Sequence, residues 1–165
     1  MMDVSFCNNK HYLRNKVLDQ LEHIKSSNEG KLRFYSNICS SLDLKDYLKF
    51  NLTRSGRSLL TKIRVNAHSL AIETGRYSRP KIPASERFCK FCENVMEDEK
   101  HFILNCPQYE TLGGKYKIFL DVDNDIYSVR KLLNPTNSKS AIEMCSFLKE
   151  AFKINKFDSV SAGPT

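Results

Sequence analysis

The chain has 165 residues, of which 41% are apolar and 27% are charged, and its formal net charge is +7. This length suffices for one domain with a core, or for a small domain with an appended module, and the composition is that of a folded protein. No apolar run approaches the ~20 residues that cross a bilayer, and the opening MMDVSFCNNK has no secretory signal. We therefore expect an intracellular protein, nuclear or cytoplasmic, with no membrane partner.

The first part of the chain is predicted to be helical. Apolar residues at helical spacing indicate an amphipathic helix over 12–25, which ends at the break SSNEG. GKLRFYSNICSSLDLKDYLKF is predicted to form a second helical segment, and its SSLD pause can cap a short further helix.

The clearest periodicity lies in RSLLTKIRVNAHSLAIETG, which predicts one helix over 57–74 with Gly75 as its stop. A second stripe on this helix is formed by Arg57, Thr61, Arg64 and His68. The helix is thus expected to bury one side and to offer a basic side, with His68 as a surface polar residue. GRYSRPKIPASERF then predicts an extended basic segment, because Pro80 and Pro83 exclude a helix.

Two more helices are predicted after the cysteines. One opens at Pro107 and is interrupted at Gly113, and the other lies in SKSAIEMCSFLKEAFKI. The second is expected to turn Ile142, Cys145, Leu148 and Phe152 inward. The resulting fold class is mainly α, a helical domain with a small zinc knuckle. Its predicted parts are an N-terminal helical segment (1–53), a basic helix and strap (54–88), a knuckle (89–109), a C-terminal helical segment (110–157) and a flexible tail (158–165).

The densest motif is CKFCENVMEDEKHFILNC, which holds three of the six cysteines and a histidine within eighteen residues. Its spacing, Cys89-x2-Cys92-x8-His101-x4-Cys106, supplies three thiolates and an imidazole, the donors and tetrahedral number that Zn²⁺ prefers. Four protein ligands leave no open position, so the predicted Zn²⁺ is structural. His101 is expected on a short helix with acidic residues in its first turn. The alternative is that these three cysteines are ordinary buried or redox thiols and that His101 is a histidine on a helix surface. The scattered cysteines Cys7, Cys39 and Cys145 are expected to be buried thiols.

Positive charge is concentrated in front of this motif. Residues 51–91 carry nine Lys/Arg against two Asp/Glu, whereas the flanking segments are nearly balanced. Such a stretch is typical of a polyanion-binding surface. The predicted phosphate contacts are Arg54, Arg57, Lys62, Arg64, Arg76, Arg79, Lys81, Arg87 and Lys90. The alternative is a solvated helix face.

Aromatic residues lie among these charges, at Tyr77, Phe88 and Phe91. Aromatics in a basic surface can stack on unpaired bases, which favours RNA or single-stranded DNA over a regular duplex. Phe88 and Phe91 can equally pack the small metal core. The sequence has no nucleotide-binding glycine loop, catalytic triad or specific carboxylate pair, so we do not expect an enzyme.

The run RSLLTKIRVNAHSLAIETGRYSRPKIPASERFCKFCENVMEDEKHFILNCPQY resembles the region after the polymerase domain in reverse transcriptases of non-LTR (LINE-type) retrotransposons. The most specific parts are IETGRYSRP and CKFC with EDEKHFILNCPQY. The resemblance implies that Cys89, Cys92, His101 and Cys106 are zinc ligands and that Arg76, Tyr77 and Arg79 belong to a basic strap. It departs from the family in having no polymerase palm and no endonuclease domain.

The resemblance implies a C-terminal region that binds template RNA or target DNA, with a reverse transcriptase or another element-encoded protein as a further partner. We therefore expect a zinc-dependent nucleic-acid-binding region. The alternative is a zinc-stabilised protein-interaction module that does not touch nucleic acid.

Overall fold

The computed structural model of the chain describes residues 12–20, 22–23, 32–39, 44–120 and 122–157. Within these residues the protein is mainly helical and has no β-strand, as the sequence predicts. The helices between residues 32 and 157 are α1 (Arg33–Ile38), α2 (Arg54–Arg64), α3 (Ala71–Tyr77), α4 (Pro107–Gly113), α5 (Ile126–Leu133) and α6 (Ser138–Phe157). Short 3-10 turns occupy Asp46–Leu48, Ala84–Glu86 and Lys117–Phe119, and a π-helical turn occupies His101–Asn105.

One apolar core joins these helices. Helix α2 packs along α6, and α1 packs on α5. The core residues of α6 are Ala141, Met144, Cys145, Phe147, Leu148, Ala151 and Phe152. Cys89, Phe102, Cys106 and Tyr109 belong to the same core, so the cysteine-rich segment is packed into the helical body.

Gly56 sets how closely α2 approaches α6. A Cβ added at this glycine would lie 2.9 Å from the Cβ and 3.2 Å from the Sγ of Cys145. The buried thiols Cys39 and Cys145, which are 6% and 7% exposed, confirm the expectation for the scattered cysteines that the structure describes. Cys7 lies outside the described residues.

The prediction of one helix over 57–74 is wrong, because the chain leaves the helix after Arg64. Asn66 has a φ of 56°, and the amide of Ala67 donates to the carbonyl of Lys62 at 2.9 Å. This is the Schellman closure of a helix C-terminus, and asparagine is one of the few residues that adopt the left-handed conformation readily. Gly75 therefore lies inside α3 and does not stop the preceding helix.

The prediction that this helix offers a basic side to solvent is also wrong. The stripe that was expected to form this side, Arg57, Thr61, Arg64 and His68, is turned toward the interior of the protein. Arg57 donates to the carbonyl of Phe50 at 2.9 Å, and Thr61 shares a 3.1 Å hydrogen bond with the hydroxyl of Tyr47. Arg64 is 1% exposed, and the His68 side chain is buried too. Each of these four side chains makes at least one hydrogen bond inside the protein, which periodicity alone does not reveal.

In the C-terminal part, helix α4 opens at Pro107 and α6 covers the last predicted helix, as expected. Ile142 is 49% exposed, so its predicted inward position is wrong. It lies six positions before Leu148, which is about 120° around the helix from it. Helix α5 was not predicted, although Asp125 caps it by accepting from the amide of Ser128 at 2.7 Å.

The first described segment of the chain lies outside the apolar core. Residues 12–20 and 22–23 are helical and exposed, which agrees with the predicted first helix. Leu21 and Ile24 of its apolar face lie outside the described residues, as does the predicted tail 158–165. Within the described ranges, no helix has the length and apolar character needed to cross a membrane.

Candidate metal centre

Cys89 and Cys92 lie on a tight turn. The amide of Cys92 donates to the carbonyl of Cys89 at 3.3 Å, and the amide of Cys89 donates to the carbonyl of Val95 at 2.7 Å. Asn94 takes the left-handed conformation with a φ of 55°, and Phe88 and Met96 pair in an isolated antiparallel bridge. The chain therefore reverses direction just after Cys92, and both thiols are held on one short hairpin.

His101 and Cys106 are brought together by the π-helical turn. Asp98 opens this turn by accepting from the amide of His101 at 2.7 Å, and the amide of Cys106 donates to the carbonyl of His101 at 2.8 Å. In an α-helix, residues five apart point about 140° away from each other. The wider π turn reduces this angle, and such turns often occur at functional sites.

The four predicted ligands converge in space. Their candidate ligand atoms all lie within 4.8 Å of one another. The Sγ of Cys106 lies 3.8 Å from the Sγ of Cys89 and 3.8 Å from the Sγ of Cys92. Cys89, His101 and Cys106 are buried, and Cys92 is half-buried. This cluster of three cysteines and one histidine can hold a metal ion.

His101 itself has the properties of a metal ligand. Its Nε2 is buried and makes no hydrogen bond. A buried nitrogen without a partner is costly, and a metal ion would satisfy it. Burial lowers the pKa of His101, which favours the neutral imidazole that ligates metals.

Burial favours the protonated form of two of the thiols, Cys89 and Cys106. Burial raises the pKa of Cys106 to about 12 and also raises the pKa of Cys89. Metal binding at this cluster must therefore displace thiol protons.

Two buried glutamates tie the cluster to the helices. Glu97 accepts from the amide of Ala71 at 2.5 Å and from Nδ2 of Asn155 at 3.0 Å, and that Nδ2 also donates to the hydroxyl of Tyr109 at 3.2 Å. Glu97 thus joins the start of α3 to the end of α6. The helical turn before His101 begins at Glu99, so acidic residues do stand at its start as the sequence predicts. Both glutamates are buried, since Glu97 is 4% and Glu99 is 1% exposed.

Glu99 is the centre of a larger buried network. It accepts from Arg33 at 2.9 Å, from Nδ2 of Asn66 at 2.6 Å and from Nε2 of His68 at 3.0 Å. Burial alone would raise the pKa of Glu99, but the hydrogen bond with His68 and the charge of Arg33 outweigh it and hold the pKa below its usual range. Glu73 lies beside this network, 3.6 Å from Arg76, and burial raises its pKa despite that cation.

The predicted phosphate-binding residues divide into three groups. Arg54, Lys62, Arg79, Lys81 and Lys90 are exposed, and Tyr77 is 66% exposed. Arg57, Arg76 and Arg87 are half-buried and bonded to protein groups. Arg64 is buried.

The two phenylalanines differ from each other. Phe91 is half-buried and packs edge-on against Tyr109, with their ring centroids 5.9 Å apart. Lys90 lies over the Phe91 ring and donates to the carbonyl of Asn155. Phe88 is 42% exposed, so it is the more accessible aromatic of the two.

The part of the strap that follows α3, residues 78–87, is held at its base by Arg87. Nε of Arg87 donates to the carbonyl of Ile82 at 2.9 Å, and NH1 donates to the carbonyl of Ile72 at 2.8 Å. The amide of Ile82 donates to the carbonyl of Gly75 at 3.1 Å. These bonds fold the strap back onto α3 and leave Arg79 and Lys81 exposed.

Gly75→Ala is expected to loosen the strap. The added Cβ would lie 2.8 Å from Cγ and Cδ of Arg87, whose head group is fixed by two carbonyls. Overpacking costs roughly 1–3 kcal/mol, and the helix preference of alanine returns up to about 1 kcal/mol. We expect a net loss of about 1 kcal/mol in chemical unfolding and faster amide exchange over 78–87. Gly114→Ala is the control, because its nearest contact is 3.7 Å. Equal exchange rates in the two variants would contradict this role of Arg87.

Comparisons with known proteins give no relative: no family model, curated protein or solved structure matches the chain.

Proposed function

We propose that Cys89, Cys92, His101 and Cys106 bind one structural Zn²⁺. The observation that supports this is the spacing of the thiols: around a tetrahedral ion with Zn–S bonds of ~2.3 Å, sulfurs lie ~3.8 Å apart. The Sγ of Cys106 has this separation from both other thiols. Three thiolates and an imidazole are a donor set of structural zinc sites, and they leave no position for substrate. The proposed role of the metal is therefore to hold the knuckle in shape, without catalysis.

We further propose that the region in front of the knuckle binds RNA or single-stranded DNA. The supporting observation is that the exposed charges of this region are mostly positive. Of the two acids in residues 51–91, Glu73 is buried and Glu86 is exposed, whereas five cations remain exposed. Arg79 and Lys81 lie on the strap just after the exposed ring of Tyr77, an arrangement suited to a phosphate backbone with an unpaired base. Arg64 is left out of this proposed surface because it is buried.

The sequence resemblance to LINE-type reverse transcriptases suggests the setting of this activity. In that setting the chain would hold template RNA or target DNA for a reverse transcriptase, which would be its protein partner. The proposal for the strap and the knuckle does not depend on that partner, because it is based on exposed charge and on the metal cluster.

The strap proposal predicts a loss of affinity when its charge is removed. We expect Arg79→Gln with Lys81→Gln to weaken binding of a labelled single-stranded RNA about tenfold, as measured by fluorescence anisotropy. The double substitution removes two exposed contacts, and each contributes roughly 0.5–1 kcal/mol. The slope of log affinity against log salt should become shallower by ~1.4, because two fewer phosphates are neutralised. Zinc content should not change.

The control variant is Lys149→Gln with Lys156→Gln, which removes the same charge from exposed positions on α6. If both variants bind RNA equally well, the strap is not the contact. The alternative function, protein docking, is favoured by the exposed apolar side chains Phe88, Val95 and Met96 on the hairpin. Binding to a protein partner through them would depend little on salt.

A further inference from the structure

A cationic cleft lies away from the strap and the proposed knuckle. It has a volume of about 640 Å³ and opens between the 3-10 turn Asp46–Leu48 and the end of α5. Its size is within the ~300–1,000 Å³ of ordinary ligand pockets. None of its lining residues belongs to the metal cluster, to the strap or to the predicted phosphate contacts.

The cleft walls are strongly basic. Lys45 and Lys49 come from one wall, and Arg130 and Lys131 come from the last turn of α5. Among the described residues that line the cleft, the one acid is Asp46, which pairs with Lys49 at 2.8 Å. Within the described part of the chain, Arg130 and Lys131 form no ion pair. The cleft therefore offers net positive charge to a ligand.

A buried guanidinium adds to this charge from behind. Arg64 donates to the carbonyl of Leu133 and, at 2.8 Å, to Oδ1 of Asn134, and it lies over the ring of Tyr47. Tyr47 and Asn134 both line the cleft. Among the described residues no carboxylate pairs with Arg64, and its NH2 has no hydrogen-bond partner. A buried cation without a counter-ion is screened little by salt, so its field extends into the cleft.

The rim of the cleft carries an aromatic platform. Tyr127 is 68% exposed, although it stands on the same helix as the inward-facing Val129. An exposed ring beside two unpaired cations is the pairing that nucleotides require, with the phosphate on the cations and the base on the ring.

We propose that this cleft binds a nucleotide, with its phosphate on Arg130 and Lys131 and its base on Tyr127. The same chemistry fits a free nucleotide or one unit of a single strand. If the nucleotide is one unit of a single strand, the cleft is a second contact site on the proposed nucleic-acid-binding protein. In that case the inference rests on the proposed function.

The test uses the full-length, zinc-loaded chain and two ligands. A labelled single-stranded oligouridylate is titrated by anisotropy against the wild type, Arg130→Gln with Lys131→Gln, the strap variant, and the Lys149→Gln with Lys156→Gln control. Uridine monophosphate is titrated separately while the amide NMR signals of residues 44–49 and 126–136 are followed. We expect the cleft variant to bind the strand about tenfold more weakly than the control. The amide shifts should be lost in that variant, and Tyr127→Ala should also weaken binding.

The outcomes separate the two claims. If the strap variant loses affinity but the cleft variant binds like the control, and if the nucleotide shifts no cleft signal, the cleft proposal is overturned and the proposed function remains. If the strand does not bind but the nucleotide shifts the cleft signals, the cleft is a free-nucleotide site and the proposed function fails. If neither ligand binds, both are overturned.

Discussion

Cys92→Ser is expected to abolish zinc binding and to unfold residues 88–110. The side chain is half-buried and touches the cluster through its Sγ, so the substitution changes little except the ligand set. In zinc-finger peptides the metal supplies about 10–16 kcal/mol of apparent folding free energy, more than a segment of this size obtains from its own core. Because Phe102 and Tyr109 of this segment belong to the common core, the helical body should also become less stable.

Metal analysis and amide exchange measure this result. The variant should hold no zinc at stoichiometric metal, and exchange over 88–110 should become fast. Cys145→Ser is the matched control, because that thiol is buried outside the cluster and its loss should leave one zinc per chain. A Cys92→Ser protein that keeps one zinc with unchanged thermal stability would refute the ligand assignment.

Glu99→Gln is expected to destabilise the zinc-loaded protein by about 3 kcal/mol. Removing one partner of a buried ion pair leaves the other charge without compensation, which costs roughly 3–5 kcal/mol. The substitution also replaces a carboxylate, which accepts hydrogen bonds from Arg33 and Asn66, with an amide, whose nitrogen cannot accept them. We place the effect at the low end because the Arg33 side chain is 22% exposed and can be partly solvated.

Urea unfolding of the zinc-loaded proteins tests this value. Glu93→Gln is the control: it makes the same chemical change at an exposed position between the metal ligands, where substitutions cost at most ~0.5 kcal/mol. Equal unfolding midpoints for the two variants would show that the network around Glu99 contributes no stability.

The parts that sequence predicts well depend on local patterns. Each of the correctly predicted features is visible within a short stretch of sequence. These features are the close spacing of three cysteines and a histidine, the proline at the first turn of α4 and the apolar period of α6. Asn66 also signals the end of α2, because asparagine is one of the few residues that adopt a positive φ readily. The apolar period continues past this asparagine, however, and therefore predicts a longer helix. Asp125 before an apolar period similarly signals α5, which could have been found by its cap.

The parts that sequence does not predict depend on partners far along the chain. Glu99 and Arg33 are 66 positions apart, and Arg64 and Leu133 are 69 apart. In sequence these residues resemble ordinary surface charges. Only the packing of the helices shows that Arg64 is buried behind a cleft and that Glu97 and Glu99 support the cysteine-rich segment from inside.

The central claim is that the cluster closes around one zinc ion. X-ray absorption at the zinc edge tests it most directly, on protein purified with one metal per chain. We predict three sulfurs at ~2.3 Å and one nitrogen at ~2.0–2.1 Å, with no bound water. A shell with two or fewer sulfurs, or with an additional water oxygen, would contradict the closed structural site.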